Sequence, residues 1–141
     1  MSGSKPEARN VKTRRGYKGR YQVEKKATFI GVNANGISSK LPSLDYIIVT
    51  LNPEVMCIQE TKLRKNGKIK GENTKNYVIF ELTRKKSRGG GLATLVKPDL
   101  DPVFISEGDD QVELLVVQIR IKDLHVRVIN AYGPQEYDDR N

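Results

Sequence analysis

The 141-residue sequence contains one cysteine, one histidine, no tryptophan and no long apolar run. A lone Cys57 excludes an intramolecular disulfide, and one Cys with one His cannot fill the four positions of a structural zinc site. No stretch approaches the roughly 18 consecutive apolar residues of a membrane helix, so we expect no membrane partner. The N-terminus has no apolar segment of the secretory type, so we expect an intracellular protein.

Positive charge is concentrated at the N-terminus. Residues 1–26 hold nine of the 25 Lys and Arg residues and two acidic residues, which accounts for +7 of the net charge of +8. This segment lacks apolar periodicity, so we predict a disordered basic tail before a folded domain over residues 27–141. The tail suits binding of nucleic-acid phosphates, but it equally suits a solvated segment or a nuclear-import signal. The candidate nucleic-acid contacts in it are Arg14, Arg15, Lys18 and Arg20.

The folded part begins with a predicted strand and a predicted helix. The apolar run over residues 27–32 predicts a strand, and the Asn-Gly pair after it indicates a turn. Apolar residues then recur every three or four positions over residues 41–51, which predicts a helix with one apolar face. Ser38 or Ser39 is expected to cap this helix, and Asn52, which precedes a proline, is expected to end it.

The remaining segments predict strands. The run VMCI (55–58) is typical of a strand buried on both faces, as a strand–helix–strand crossover requires. A meander is predicted to follow it. Its strands lie at residues 77–82, 90–96, 112–121 and 125–132, with a further short strand at 101–105. The fold class is therefore α/β, with a mixed, largely antiparallel sheet and one helical crossover.

Polar side chains stand at the carboxyl ends of three predicted strands, where ligands gather in open α/β sheets. Asn33 and Asn35 follow the first strand, Gln59 and Glu60 follow the second, and Asn130 and Tyr132 stand at the last. Taken singly, each is typical of a turn, a helix cap or an amphipathic strand end. We therefore consider them together.

The segments NANG, PEVMCIQET, GGGLATLV and NAYGP, in this order, resemble the first half of the exonuclease–endonuclease–phosphatase superfamily. This superfamily includes the apurinic endonucleases and the endonucleases of non-LTR (LINE-type) retrotransposons, and the resemblance is closer to the retroelement type. It covers about residues 27–137. The fold that it implies is half of a four-layer α/β sandwich.

The resemblance assigns a role to each polar strand end. Glu60 matches the glutamate that binds a catalytic Mg²⁺, with Mn²⁺ able to take its place, and Asn35 matches a second contributor near the metal. Asn33 and Tyr132 match residues that position the phosphate, so the implied catalytic residues are Asn33, Glu60 and Tyr132. The NAYGP segment favours DNA cleavage over dephosphorylation of small molecules.

Two motifs of the family, Asp-x-Asn and Ser-Asp-His, lie downstream of the segment matched here. Asp138 and Asp139, before Asn141, suggest a remnant of the first motif, but they follow Gly-Pro-Gln (133–135) too closely and we reject it, and Ser-Asp-His does not occur in the sequence. We therefore expect an N-terminal fragment or a decayed copy of a retroelement endonuclease, with an exposed inner sheet face and little activity alone. DNA is the implied partner, and the resemblance also suggests a reverse transcriptase module encoded downstream and a nuclear location if the element is eukaryotic. A non-catalytic basic nucleic-acid-binding module is the alternative, and a small-molecule phosphatase is a third hypothesis.

Three further features receive predictions. Lys62 and Arg64 directly follow Glu60 and either face a DNA backbone or lie in a solvated loop. His125 is interpreted as a residue on a strand surface. The glycine run at 89–91 is interpreted as a source of conformational freedom at a hairpin, because it lacks the Gly-Lys-Ser/Thr ending of a phosphate loop.

Overall fold

The fold of the chain is given by a computed structural model that describes residues 26–64, 67–83, 89–109 and 111–133. The described elements are β1 (Phe29–Asn33), α1 (Leu41–Leu51), β2 (Val55–Gln59), β3 (Val78–Leu82), β4 (Leu92–Val96), β5 (Val103–Glu107), β6 (Glu113–Ile121) and β7 (Leu124–Tyr132). Short 3-10 turns occur at Ser38–Lys40, Thr74–Asn76 and Pro98–Leu100. The predicted tail contacts, Arg14, Arg15, Lys18 and Arg20, lie outside the described residues.

The predicted crossover is confirmed. Strands β1 and β2 pair in parallel, and α1 connects them. Asn33 is the register partner of Gln59 at the carboxyl ends of the two strands. The crossover therefore places the loop after β1 beside the turn that contains Glu60.

The helix begins differently from the prediction. Ser38 and Ser39 lie inside a 3-10 turn, Lys40 occupies the N-cap position, and no side chain caps the helix. The predicted serine cap is wrong, because a 3-10 turn precedes the helix and places Ser39 one residue and Ser38 two residues before the N-cap position. The predicted end is correct, since Asn52 adopts a left-handed φ of 46° and its backbone N–H donates to the Ile48 carbonyl at 2.8 Å.

The strands form two sheets where the sequence suggested one. In the first sheet the order is β1-β2-β4-β3, with β4 antiparallel to both of its neighbours. In the second sheet β5, β6 and β7 form an antiparallel meander. The division follows β4, where a 3-10 turn and Asp101, with a φ of 50°, redirect the chain.

Two apolar cores hold these layers together. Met56, Ile58 and Leu95 pack with Leu44 and Ile48 of α1 on one face of the first sheet. On its other face, a second cluster joins the two sheets. Its members are Val55, Leu92 and Val96 from the first sheet and Leu115, Val117, Ile119 and Val128 from the second. Burying each such side chain contributes roughly 1.5–3 kcal/mol relative to leaving it exposed.

The second core confirms that β2 is buried on both faces, and it corrects one expectation. The inner face of the first sheet is not left exposed, because the second sheet covers it. Exposed apolar side chains instead occur on the second sheet, for example Phe104, Leu124 and Ile129. The fold class is thus the predicted partial α/β sandwich, and the described residues include no helix that could cross a membrane.

Candidate active site

Glu60 and Tyr132 meet where the two sheets end side by side. Glu60 directly follows β2 in the first sheet, and Tyr132 is the last residue of β7 in the second. The Tyr132 hydroxyl donates a hydrogen bond to Oε2 of Glu60. Both side chains are half-buried, so the contact is accessible from solvent. Two residues that are 72 positions apart in the sequence thus form one site.

The turn that contains Glu60 has unusual backbone angles. Glu60 and Lys62 both adopt left-handed conformations, with φ of 56° and 55°, on either side of the buried Thr61. The Glu60 and Thr61 carbonyls accept hydrogen bonds from the N–H groups of Gly36 and Ile37 at 2.8 and 2.9 Å. Such conformations cost of the order of 1–3 kcal/mol per residue and are typical of functional sites, where the surrounding structure holds them in place.

The glycine run packs directly against this turn. The Gly91 and Gly90 carbonyls accept from the N–H groups of Thr61 and Lys62 at 3.2 and 2.7 Å. Gly91 has a φ of 94°, and a Cβ atom there would lie 2.4 Å from Oγ1 of Thr61. The glycine at position 91 therefore permits a close backbone approach, which is a more specific role than freedom at a hairpin.

Asn33 and Asn35 lie in the loop on the other side of the turn. Oδ1 of Asn33 accepts from the backbone N–H of Asn35 at 3.0 Å. Oδ1 of Asn35 accepts from the Lys62 ammonium group at 2.6 Å. The structure thus brings Asn35 next to the Glu60 turn through Lys62, whereas the Asn33 side chain is engaged within its own loop.

Lys62 and Arg64 are both exposed. Lys62 belongs to the site through its contact with Asn35, and Arg64 lies two residues further along the loop. Their positive charges stand beside the Glu60 turn, where an anionic ligand would gain electrostatic attraction.

Asn130 is a buried residue of the site that the sequence marked as a polar strand end but to which the resemblance assigned no role. Its side chain, 1% exposed, donates from Nδ2 to the Ala93 carbonyl at 2.9 Å and to Oγ1 of Thr94 at 3.1 Å. Its Oδ1 accepts from Nε2 of Gln59 at 2.7 Å. The available signal was its position two residues before Tyr132, on the face of β7 whose other residues are the apolar Leu124, Val126 and Val128.

Glu113 is a second carboxylate near the site that the sequence reasoning missed. Its Oε1 accepts from the N–H of Gly91 at 3.0 Å, and it is the register partner of Tyr132. An acidic residue at the start of a strand is common and gave no signal of this role. Glu113 supports the glycine run from the second sheet.

His125 and Cys57 do not take part in this site. His125 is exposed on β7, and its Nδ1 lies 3.2 Å from Nε2 of Gln118, as a strand-surface residue should. It precedes Tyr132 by seven residues, which is about 23 Å along a strand. Burial raises the pKa of the Cys57 thiol, which the hydrogen bond to Thr94 offsets only in part, so the thiol stays protonated at neutral pH.

The donor atoms of the site fit a metal with few protein ligands. The described residues include no group of three or more His, Cys, Asp or Glu side chains placed to bind a metal. Mg²⁺ commonly uses one or two carboxylates and completes its coordination with waters and phosphate oxygens. Glu60 supplies one such carboxylate, and Tyr132 donates to its Oε2. A metal at Oδ1 of Asn35 would have to displace the Lys62 ammonium group.

The architecture is a partial α/β sandwich, and two solved structures share its fold. The 3′ phosphatase NExo from Neisseria, bound to a product DNA hairpin, matches with a TM-score of 0.53 and 22% sequence identity. An AP endonuclease from Archaeoglobus fulgidus matches with the same TM-score and identity. Both matches cover 73% of this chain, which spans about 40% of the length of either protein.

These matches establish the fold alone, because the sequence identity is low. No protein-family model matches the chain, and no curated protein matches it significantly. The matches agree with the fold that the predicted superfamily implies, and membership of that superfamily stays a prediction. The closer resemblance to retroelement endonucleases remains a prediction.

Proposed function

We propose that this chain carries part of the active site of a metal-dependent phosphodiesterase that cleaves DNA. The observation that carries the proposal is the contact between Glu60 and Tyr132 at the common end of the two sheets. Asn35 and Lys62 are joined beside it, and backbone hydrogen bonds hold the Glu60 turn in its strained conformation. A carboxylate is a suitable ligand for Mg²⁺, and phenol, amide and ammonium groups can each donate a hydrogen bond to a phosphate oxygen.

Each residue has a distinct part in this proposal. Glu60 holds Mg²⁺, or Mn²⁺ in its place, which when bound neutralises phosphoryl oxygens and lowers the pKa of water. The Tyr132 hydroxyl, which has a single proton, donates to the Glu60 carboxylate in the free chain and would donate instead to a phosphate oxygen when the substrate enters. Asn33 helps position the phosphate, Asn35 contributes near the metal, and Lys62 adds positive charge.

Hydrolysis also needs a group that takes a proton from the attacking water and one that assists the leaving oxygen. No histidine among the described residues lies at this edge, since His125 is far along β7. We therefore propose that the present chain supplies metal binding and phosphate positioning. Efficient hydrolysis then requires groups from another segment or chain, consistent with the expected fragment of an endonuclease.

DNA is the substrate that we propose. The Neisseria protein with the shared fold is bound to a DNA hairpin, and the exposed Lys62 and Arg64 stand beside the site of this chain. The basic tail is proposed to add sequence-independent affinity for the phosphate backbone. The retroelement origin, the reverse transcriptase partner and the nuclear location rest on the sequence resemblance.

A plasmid-nicking assay with Mg²⁺ tests the enzyme proposal. We expect slow nicking by the wild-type chain that is lost in Glu60→Gln, because the substitution keeps the shape of the side chain and removes its charge. Glu72→Gln is the matched control, since Glu72 is an exposed carboxylate paired with Lys75 at 2.8 Å. Equal nicking by wild type and Glu60→Gln would contradict the proposal.

A non-catalytic nucleic-acid-binding module is the second candidate. The observation that favours it is the Lys62 ammonium group on Oδ1 of Asn35, the oxygen that the resemblance assigns to the metal environment. Salt-sensitive DNA binding that is unchanged by Glu60→Gln, without nicking, would support this alternative. A substrate with a 3′ phosphate and a set of small phosphate esters, added to the same assay, would reveal a phosphatase instead.

A further inference from the structure

The Asn130 side chain crosses from the second sheet to the first beside the candidate site. It donates from Nδ2 to the carbonyls of Ala93 and Ile58, at 2.9 and 3.3 Å, and to Oγ1 of Thr94. Its Oδ1 accepts from Nε2 of Gln59 at 2.7 Å. The side chain is buried, so these bonds replace water contacts that it would otherwise lose.

These contacts lie next to the contact between Tyr132 and Glu60, at the same edge of the two sheets. Asn130 and Tyr132 are two residues apart on β7, so their side chains emerge on the same face of the strand. They bind two consecutive residues of the first sheet: Asn130 binds Gln59, and Tyr132 binds Glu60. The two sheets therefore meet in one specific alignment at this edge.

Besides Asn130 and Tyr132, Glu113 makes a directional contact between the sheets, because its Oε1 accepts from the N–H of Gly91 at 3.0 Å. The aliphatic part of the interface does not impose an alignment by itself. Its members are the aliphatic residues Val55, Leu92, Val96, Leu115, Val117, Ile119 and Val128. Apolar contacts are not directional, and similar burial is available if one sheet slides over the other. A buried amide, in contrast, penalises every alignment in which its hydrogen bonds are not made.

We propose that Asn130 is a positioning residue that holds the Tyr132 hydroxyl against the Glu60 carboxylate. It has no contact with substrate and acts through Tyr132, by fixing how β7 lies over the end of β2. The importance of this positioning for catalysis rests on the proposed function. The positioning itself requires neither metal nor DNA and can be measured in the chain alone.

The direct test is an NMR measurement of contacts between the Tyr132 ring and the Glu60 side chain in the full chain. We expect these contacts to be lost in Asn130→Leu, which keeps the volume and removes the amide. They should persist in Val128→Ala, the matched control, because Val128 lies on the same face of β7 and packs only in the apolar cluster. A folded Asn130→Leu protein with unchanged contacts would overturn the proposal.

Gln59→Met provides a second test in case Asn130→Leu does not fold. It removes the bond to Oδ1 of Asn130 and leaves the bonds from Nδ2 in place. We expect weaker contacts between Tyr132 and Glu60, since the bond nearest to Glu60 is gone. Contacts as strong as those of the wild type would overturn the proposal.

Titration with Mn²⁺ links the positioning to the proposed function. We expect Asn130→Leu to weaken Mn²⁺ affinity roughly tenfold, as for other residues that orient a metal ligand. In a Tyr132→Phe background the same substitution should have no further effect, because Asn130 acts through Tyr132. If the two substitutions instead weaken Mn²⁺ affinity independently, so that their losses add, Asn130 does not act through Tyr132. Absence of Mn²⁺ binding in the wild type would count against the proposed function, and the NMR result would then decide the role of Asn130.

Discussion

The two sheets hold their parts of the candidate site in different ways. In the first sheet, Glu60 lies in a turn that is fixed by backbone hydrogen bonds from the N–H groups of Gly36 and Ile37 and to the carbonyls of Gly90 and Gly91. In the second sheet, Tyr132 and Asn130 reach the site through their side chains alone. One half of the site therefore depends on backbone conformation, and the other depends on how the sheets are packed.

This difference separates the effects of mutations. A turn held by main-chain bonds should tolerate changes of side chain but not changes that its φ angles forbid. A contact made by side chains across an interface should respond to any change that moves the two sheets relative to each other. The following predictions test this contrast, beginning with the largest effect.

Leu115→Ala should have the largest effect, because Leu115 is 2% exposed in the core between the sheets. Truncation of a buried leucine costs about 2–5 kcal/mol of unfolding free energy. Chemical denaturation measures this loss. Leu124→Ala is the control, since Leu124 lies on the same sheet and is 66% exposed. Comparable losses for the two variants would contradict the described packing of the sheets.

Gly91→Ala should have the next largest effect. The φ of 94° is unfavourable for alanine, and the added Cβ would lie 2.4 Å from Oγ1 of Thr61. We expect a loss of about 2–4 kcal/mol in denaturant unfolding, from backbone strain together with the steric conflict. In Gly31→Ala, the matched control, a Cβ meets no atom within 4 Å and the change should be small. If the two alanine variants are equally stable, the turn does not depend on this close approach.

Thr61→Val should have the smallest effect. Oγ1 of Thr61 is buried and has no hydrogen-bond partner among the described residues, so valine of the same shape should be neutral or stabilising by less than about 1 kcal/mol. Thr94→Val is the comparison, because Oγ1 of Thr94 accepts from Asn130 and its loss should cost about 1 kcal/mol or more. Thermal or urea unfolding distinguishes the two. A larger loss for Thr61→Val would show that its side chain, and not only the backbone, holds the turn.

The elements of the fold could be predicted because they depend on local patterns. The apolar face of α1 and the runs of β-branched and apolar residues in β2 and β4 are visible within a few residues of sequence. The start of α1 was less predictable. Lys40 and not a serine stands at its N-cap, because a 3-10 turn precedes the helix.

The local sequence pattern could not predict which strands join the same sheet. Alternation and apolar runs are the same whether a strand joins the first sheet or the second. The direction of the chain after β4 decides this, and it depends on one turn and on the packing of Leu115 and Val117 against Val55. For this reason the sequence did not predict that the second sheet covers the inner face of the first sheet.

The sequence by itself determined the type of fold and, through its resemblance to a known family, the candidate residues Asn33, Asn35, Glu60 and Tyr132. Only the tertiary structure decided that Tyr132 contacts Glu60, that Lys62 contacts Asn35, and that the Asn130 network aligns the two sheets. The physical reason is the distance along the sequence over which each effect acts. Propensity and periodicity act over a few residues, whereas a hydrogen bond between positions 60 and 132 exists only after both sheets have packed.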